Sequence, residues 1–355
     1  MSGNKIRNTL LAVFILAGLT GLAMLAACNS NGQAPPHPDD GEVGIAGTTM
    51  VIYSTFASDF AKPIVEIFEE TYGVTVELHI AGIGPTLARL RAEATNPRAD
   101  VLWGVCLFTA LPETDLFEDF ISVNEPYMLP GQQNTQGSIT RFTVNTGVIL
   151  INKSLIGDIE IHGYACLLNP ELRGQIAITY PTASNSPFNH LVSQLFAMGG
   201  GDPGAGWRFM ERFIINVGGN ILPNLDAVYM GVASGDFIVG LTHEEAALSY
   251  IGPGSTIKYV HAREGTIAAS TGIAVVNGTG NREAAQTFID FVTSGEIQAF
   301  IEANLHRRSA RKDIPSTGAM VANAELNWIP TCAAYILENL DEWAERFWDL
   351  WMANN

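Results

Sequence analysis

Three features of this 355-residue chain predict an α/β fold built as two lobes. The first is a β-α-β-α-β opening between Met50 and Gly104. The second is a further α/β unit from about Gly163 onward. The third is a pair of β-rich runs, Ile139 to Asn152 and Thr266 to Val276, each able to cross between lobes as a hinge strand. Length alone accommodates two domains of ordinary size.

Each element follows from a local pattern. Met50 to Tyr53 is a short apolar strand. Phe60, Ile64, Ile67 and Phe68 then recur at helical spacing and define one buried face, and Gly73 is placed to end the helix. Val74 to Ile80 (VTVELHI) alternates and predicts the second strand. Pro85 fits the first turn of the next helix, where its missing N–H costs nothing, and Asn96-Pro97 stops that helix. Ala99 to Gly104 (ADVLWG) is a buried strand ending in a glycine turn. Phe108 to Phe120 reads as a short helix plus loop, and Tyr127 to Ser138 as irregular surface. In the second unit, Ile176 to Tyr180 is a strand and a helix begins near Pro187. Further helices span Trp207 to Asn216 and Asn224 to Ala233, the latter with Asp226 as its expected N-cap. Phe237 to Leu241 and Ile257 to His261 are strands. Helices over Arg282 to Thr293 and Glu296 to Asn304 follow. The chain ends in a helix from Asn327 to Met352, where Trp343, Phe347 and Trp351 form a docking stripe.

Four loops between strand and helix carry the chemistry. They hold Ser54-Thr55, Gly82 to Gly84, Thr182 to Ser186 and Pro223 to Asp226. Thr182, Ser184, Asn185 and Ser186 gather three hydroxyls and an amide at the mouth of a helix. Free backbone N–H groups and the positive end of the helix dipole make such a mouth a seat for an anion, although an ordinary helix cap would have the same composition. Net charge is −17, which disfavours a nucleic-acid partner but not a buried anion site ruled by local dipoles. The chain has no Gly-x-Ser-x-Gly elbow and no His-Glu-x-x-His helix, so no enzymatic role is expected.

The N-terminus carries Lys5 and Arg7, then an uncharged apolar stretch from Thr9 to Ala27. This is the plan of a secretory signal, and Leu25-Ala26-Ala27-Cys28 resembles the bacterial lipoprotein signal. Cys28 is then the lipidated residue, residues 1–27 the leader, and residues 28–48, rich in Gly and Pro, a disordered tether. A retained membrane helix is the alternative. Of the remaining cysteines, Cys106, Cys166 and Cys332, at most two can pair, and no C-x-x-C motif is present.

The stretches VIYSTFASDFAKPIVEIFEETYGVTVEL, RLRAEATNPRADVLWG, ELRGQIAITYPTASNSP, DAVYMGVASGDFIVGLTHEEAAL and EAAQTFIDFVTSGEIQAFI, in that order, resemble the extracellular solute-binding proteins of ABC importers. The similar branch is described as ferric iron-binding and also contains sugar-phosphate, phosphonate and thiamine receptors. The resemblance runs from Met50 to about Asp313. It implies the two-lobed periplasmic-binding-protein (type 2) fold, with two crossing strands and the ligand held between lobes. Lobe 1 is then expected over 49–147, lobe 2 over 148–268, and residues 269–355 complete lobe 1 and add the C-terminal helix. The ligand residues it implies are Ser54, Thr55, Gly84, Thr86, Trp103, Thr182, Ser184, Asn185, Ser186, Asp226, Thr242, His243 and Glu244. PNLDAVY, before and around Asp226, stands where the family often has a Ser/Gly-rich segment. Trp103 could stack on a ligand or simply pack in the core.

Hydroxyl-rich loops suit a phosphate or phosphonate better than ferric iron, since the chain has no Tyr-Tyr pair; Tyr53, His243 and Glu244 would make only a partial iron set. The expectation is a monomeric, lipid-anchored receptor of the cell envelope. It captures a small anionic solute and passes it to a membrane permease, without cofactor or resident metal. The alternatives are a ferric-iron receptor of the same family, a receptor read by a sensor in place of the permease and, less favoured, a secreted hydrolase.

Overall fold

The computed structural model describes residues 44–354, apart from residues 136, 250, 253, 317 and 319. The leader, Cys28 and most of the tether expected from the sequence lie outside the described residues.

The opening forms as expected: β1 (Thr49–Ser54), α1 (Ser58–Tyr72), β2 (Thr75–Ile80), α2 (Ile83–Glu93) and β3 (Val101–Cys106). Phe60, Ile64 and Phe68 are the buried stripe of α1, and Gly73 ends that helix in the left-handed region at φ 65°. A single helical turn, α3 (Leu107–Ala110), and a 3-10 segment over Leu111–Leu116 stand where one short helix and a loop are expected. The chain then runs through β4 (Thr140–Asn145) and β5 (Gly147–Asn152). The second unit comprises β6 (Ile176–Thr179), α4 (Asn185–Met198), α5 (Pro203–Val217), β7 (Ile221–Leu222), α6 (Leu225–Ser234), β8 (Val239–His243), α7 (Glu244–Ser249) and β9 (Ile257–Val260). The return is β10 (Ala269–Val275), α8 (Arg282–Thr293), α9 (Gly295–Leu305), the short β11 (Arg308–Ser309) and α10 (Ala333–Asn354).

Four helix starts differ from the sequence expectation; α5 begins at Pro203, four residues before Trp207, with Asp202 Oδ1 as its cap accepting the Gly204 N–H at 2.9 Å. α4 begins at Asn185, two residues before Pro187, because Ser184 is already extended at φ −167°. α6 is capped by Asn224, whose Oδ1 accepts the Ala227 N–H at 2.9 Å, so Asp226 sits inside the first turn and is not the cap. α10 begins at Ala333 instead of Asn327, downstream of Pro330, which cannot sit in a helix interior.

Two mixed sheets result. The first has the order β11-β4-β10-β3-β1-β2 and the second β7-β6-β8-β5-β9. In the first, β1, β2 and β3 are parallel and β10 is antiparallel to both β3 and β4. In the second, β6 is parallel to β7 and β8, while β5 is antiparallel to β8 and β9. The chain passes from the first sheet to the second at Thr146, between β4 and β5, and returns between β9 and β10. Register places the C-terminal ends of the parallel strands at this crossing. Thr271 faces Cys106 and Ala269 faces Asn145 in the first sheet, and Gly147 faces His243 in the second. Loops after β1 and β3 on one side, and after β6 and β8 on the other, therefore converge on the crossing, where α/β sheets bind ligands.

Each sheet has its own core. Around the first, Tyr53, Leu102, Val105 and Phe117 pack together. Trp103 is fully buried among the rings of Phe56, Phe60, Phe142 and Phe288. The larger core belongs to the second sheet, where Ile149, Leu195, Trp207 and Phe213 are joined by Ile336, Trp343 and Phe347 of α10. The aromatic stripe of the last helix thus docks on the second sheet, although the chain reaches it from β11 of the first. Cys106, Cys166 and Cys332 are free thiols.

The crossing is held by polar contacts in a dry setting. Thr146 Oγ donates to Thr266 Oγ at 3.0 Å and so joins the two crossing segments. Beside them, the Arg308 guanidinium on β11 grips the Glu244 carboxylate at the start of α7, with Nε–Oε2 2.9 Å and Nη2–Oε1 2.8 Å. His261 Nε2 and Tyr259 O–H reach the same Oε1 at 3.0 and 3.2 Å, and the Glu244 N–H donates to the Thr146 carbonyl. Burial alone would raise the Glu244 pKa, but the hydrogen bonds from His261 and Arg308 hold it below the usual carboxylate range. Opposite, His190 of α4 is fully packed, with Nε2 2.5 Å from the Thr242 carbonyl, and burial pushes its pKa down to about 4. A Cβ on Gly147 would lie 2.8 Å from that imidazole, so only glycine lets β5 start this close.

Breaking one partner of the buried pair strands the other charge. Arg308→Ala should lower stability by about 3–5 kcal/mol in urea unfolding, whereas the double exchange Arg308→Met with Glu244→Leu should cost clearly less. His190 sets an acid limit. Its folded pKa lies below its unfolded value of 6.5, so the unfolded chain takes up the proton first. Stability should be full above pH 6.5 and fall towards pH 4, with Glu244 adding a further loss below its unfolded value of 4.5. Melting temperatures across this range check it, and His190→Gln should flatten the upper part of the slope.

Candidate functional site

On the first sheet, Ser54 ends β1 fully buried, and its Oγ accepts the Phe56 N–H at 3.1 Å. Thr55 is half-buried and its hydroxyl donates to the Gly104 carbonyl. Gly104 has φ 95°, and a Cβ there would lie 2.8–2.9 Å from the Phe56 ring and Thr55 Oγ. This glycine therefore sets how closely the two loops pack. Gly84 is exposed in the first turn of α2. Thr86 is buried and its hydroxyl is spent on the Gly82 carbonyl at 2.9 Å. Trp103 belongs to the core described above and offers no face to solvent.

On the second sheet, Thr182 and Ser184 are exposed in the loop before α4, and Asn185 opens the helix. Ser186 Oγ and Asn189 Oδ1 are buried in the first turns of α4 with no hydrogen-bond partner. A helix mouth with unspent N–H groups and an unspent hydroxyl favours an anion, while the Asn189 Oδ1, an acceptor, calls for a donor such as a ligand hydroxyl. Asp226 is exposed in the first turn of α6. Thr242 is buried, its Oγ without a partner. His243 ends β8, with Nδ1 3.3 Å from the Tyr229 hydroxyl. Burial pushes its pKa down to about 4, so the imidazole is neutral at pH 7. Glu244 is turned into the buried network with Arg308, and its carboxylate is satisfied within the protein.

The structure adds residues that the sequence does not single out. Arg307 lies with its guanidinium carbon 4.9 Å from the Phe56 ring centre and 5.1 Å from that of Phe60, and it pairs with Glu245. Arg307 follows α9 of the first lobe and Glu245 belongs to α7 of the second, so this pair spans the crossing. It brings a cation beside the Ser54-Thr55 loop. Its adjacent-arginine signal, HRRSAR, is in the sequence, but the partner in space is not. Tyr229 and Asn189 are further additions. Behind the Thr182 loop, Tyr180 O–H reaches the Ala344 carbonyl at 3.3 Å and its ring meets Phe347 and Trp348 edge-on, so α10 braces the loop from below. Among the described residues, no three His, Cys, Asp or Glu side chains converge as a metal cage, and no helix is long and apolar enough to cross a membrane.

Known proteins share this plan. A family model described as bacterial extracellular solute-binding protein matches residues 49–304. The iron uptake protein A1 of Synechocystis is 25% identical over 322 residues, covering 86% of this chain and 87% of the relative. A solved two-component system protein that mediates signal transduction is 25% identical at a TM-score of 0.68, over 82% of this chain and 99% of its own. A periplasmic binding protein of Actinobacillus pleuropneumoniae, with exogenous fructose-6-phosphate bound, shares the fold at a TM-score of 0.69 and 19% identity, over 86% of this chain and 98% of its own. The two sheets joined at one crossing are the two lobes of that periplasmic-binding-protein fold. With more than two thirds of its length inside the family match, this chain belongs to the bacterial extracellular solute-binding proteins.

Proposed function

We propose that this protein is the substrate-binding lipoprotein of an ABC importer, capturing a small anionic solute between its lobes and delivering it to a membrane permease. The solute class is an organophosphate, sugar phosphate or phosphonate. One observation carries the anion: the mouth of α4, where the Ser186 hydroxyl is buried without a partner next to exposed Thr182 and Ser184. The helix dipole and unspent donors there offset an anion's lost hydration. Arg307, across the crossing, supplies the complementary cation, and the neutral His243 with Asp226 suits hydroxyls of a sugar. Domain closure about Thr146 and Thr266 would bring the two sides together. The importer role is supported by the sequence resemblance and by a relative named for uptake.

Ferric iron is the second reading. It is favoured by the Tyr229 hydroxyl beside His243 Nδ1, an oxygen–imidazole pair, and by the name of the Synechocystis relative. A sensor in place of the permease is the variant suggested by the two-component protein.

The mature protein should show a saturable rise in melting temperature with a sugar phosphate or phosphonate. Ser184→Ala with Ser186→Ala should weaken that binding by roughly tenfold or more while leaving the ligand-free melting temperature nearly unchanged, since neither hydroxyl caps α4. No shift with any phosphate, together with a coloured ferric complex, would instead establish the iron reading. For the anchor, Cys28→Ser should move the protein from the membrane to the soluble fraction in cells fed labelled palmitate, with loss of label. Retention of label would show that Cys28 is not the lipidated residue.

A further inference from the structure

A separate cavity of 490 Å³ lies on the first lobe against the crossing. It shares no residue with the candidate site. Its wall combines Phe108 after β3, Arg141 on β4, Ser270 on β10 and Gln132, and is completed by Trp328 and Ala333 on the segment leading into α10. Most of the remaining wall is Leu, Ile, Pro and Ala. Ligand pockets of this size are largely apolar with a few placed polar groups.

Arg141 is the one charged side chain among the described lining residues. In a chain of net charge −17, a cation is the less expected sign in such a place. One of its terminal nitrogens donates to the Gln133 carbonyl at 2.9 Å, and its Nε is buried with no acceptor. Glu125 attracts it, but the Glu125 carboxylate spends Oε2 on the Asn134 N–H at 2.7 Å and leaves Oε1 buried and unpartnered. Burial lowers the Arg141 pKa, with Glu125 opposing. A guanidinium drawn out of water without a full set of acceptors favours an anion that supplies them. The polar neighbours, Gln132 and Ser270, already hydrogen-bond each other. The wall therefore offers one cationic fork, with the Gln132 amide nitrogen and the Thr331 hydroxyl as further polar groups on a mainly apolar surface. A single cation suits a carboxylate, which pairs with guanidinium through two oxygens, better than a phosphate dianion of twice the charge.

We propose that this cavity is a second ligand site, taking a small organic carboxylate with an apolar body, its carboxylate on Arg141 and its body against Phe108 and Trp328. The position links it to lobe motion. β4 and β10 are the first-lobe halves of the two crossings, Phe108 meets Phe188 of the second lobe at 6.5 Å, and Ala333 starts the helix packed on the second lobe. An occupant touches all three connections.

Titration of the whole mature protein with phenylacetate, 2-phenylethanol and phenethylamine tests this by calorimetry. Expected is saturable one-to-one binding of phenylacetate, at least about tenfold weaker binding of the alcohol, and none of the amine. Arg141→Gln should remove the preference for the carboxylate, while Lys62→Gln, a change of the same charge on α1, should keep it. Equal binding of the alcohol or amine to the unaltered protein would overturn the proposal. So would an unchanged phenylacetate affinity in a folded Arg141→Gln variant, or no saturation at millimolar concentration.

Discussion

The buried pair of Arg308 and Glu244 is the contact on which the arrangement of the lobes depends. Arg308 comes from the edge strand of the first sheet and Glu244 from the helix start that follows β8 of the second. Both side chains are almost wholly removed from water, so neither charge is tolerable without the other. The backbone of Glu244 is tied to Thr146, the residue at which the chain changes sheets. The pair therefore ties the two lobes together beside the point where the chain crosses between them. Replacing such pairs with apolar residues often costs little stability, which makes geometry, not energy, the gain here.

This arrangement separates two roles that adjacent residues take. Glu244 is turned inward to Arg308, while Glu245 meets Arg307, which rests on the Phe56 and Phe60 rings beside the first ligand loop. A one-residue step along α7 thus divides a structural carboxylate from one at the candidate site. The strongly acidic chain still places a guanidinium, paired with Glu245, and a helix mouth at the candidate site. Net charge governs solubility and long-range fields; a site is governed by what lies within a few ångströms.

Much of the fold was legible in the sequence, because period-2 and period-3.6 patterns reflect burial on one face of a strand or helix. The β-α-β-α-β opening, both crossings and the aromatic stripe of the last helix are of this kind. Helix starts were less legible. Asn224 and Asp226 are both good caps by composition, and only backbone geometry chooses Asn224. The site was legible where it is local, as in Thr182 to Ser186. It was not legible where a partner is remote: Glu244 reads as a ligand residue until Arg308, 64 positions away, is found on its carboxylate. Trp103 was ambiguous for the same reason, since four phenylalanines from three separate stretches enclose it.

The docking of α10 on the second core has a topological consequence. Besides the two strand crossings, the chain passes between lobes a third time, from β11 to α10. An odd number of passages leaves its two ends on different bodies. The N-terminal end enters at Ile45, buried on the first lobe, and the C-terminal end leaves from the second. The two lobes are thus joined by three covalent connections, and the two ends of the described chain lie on opposite sides of them.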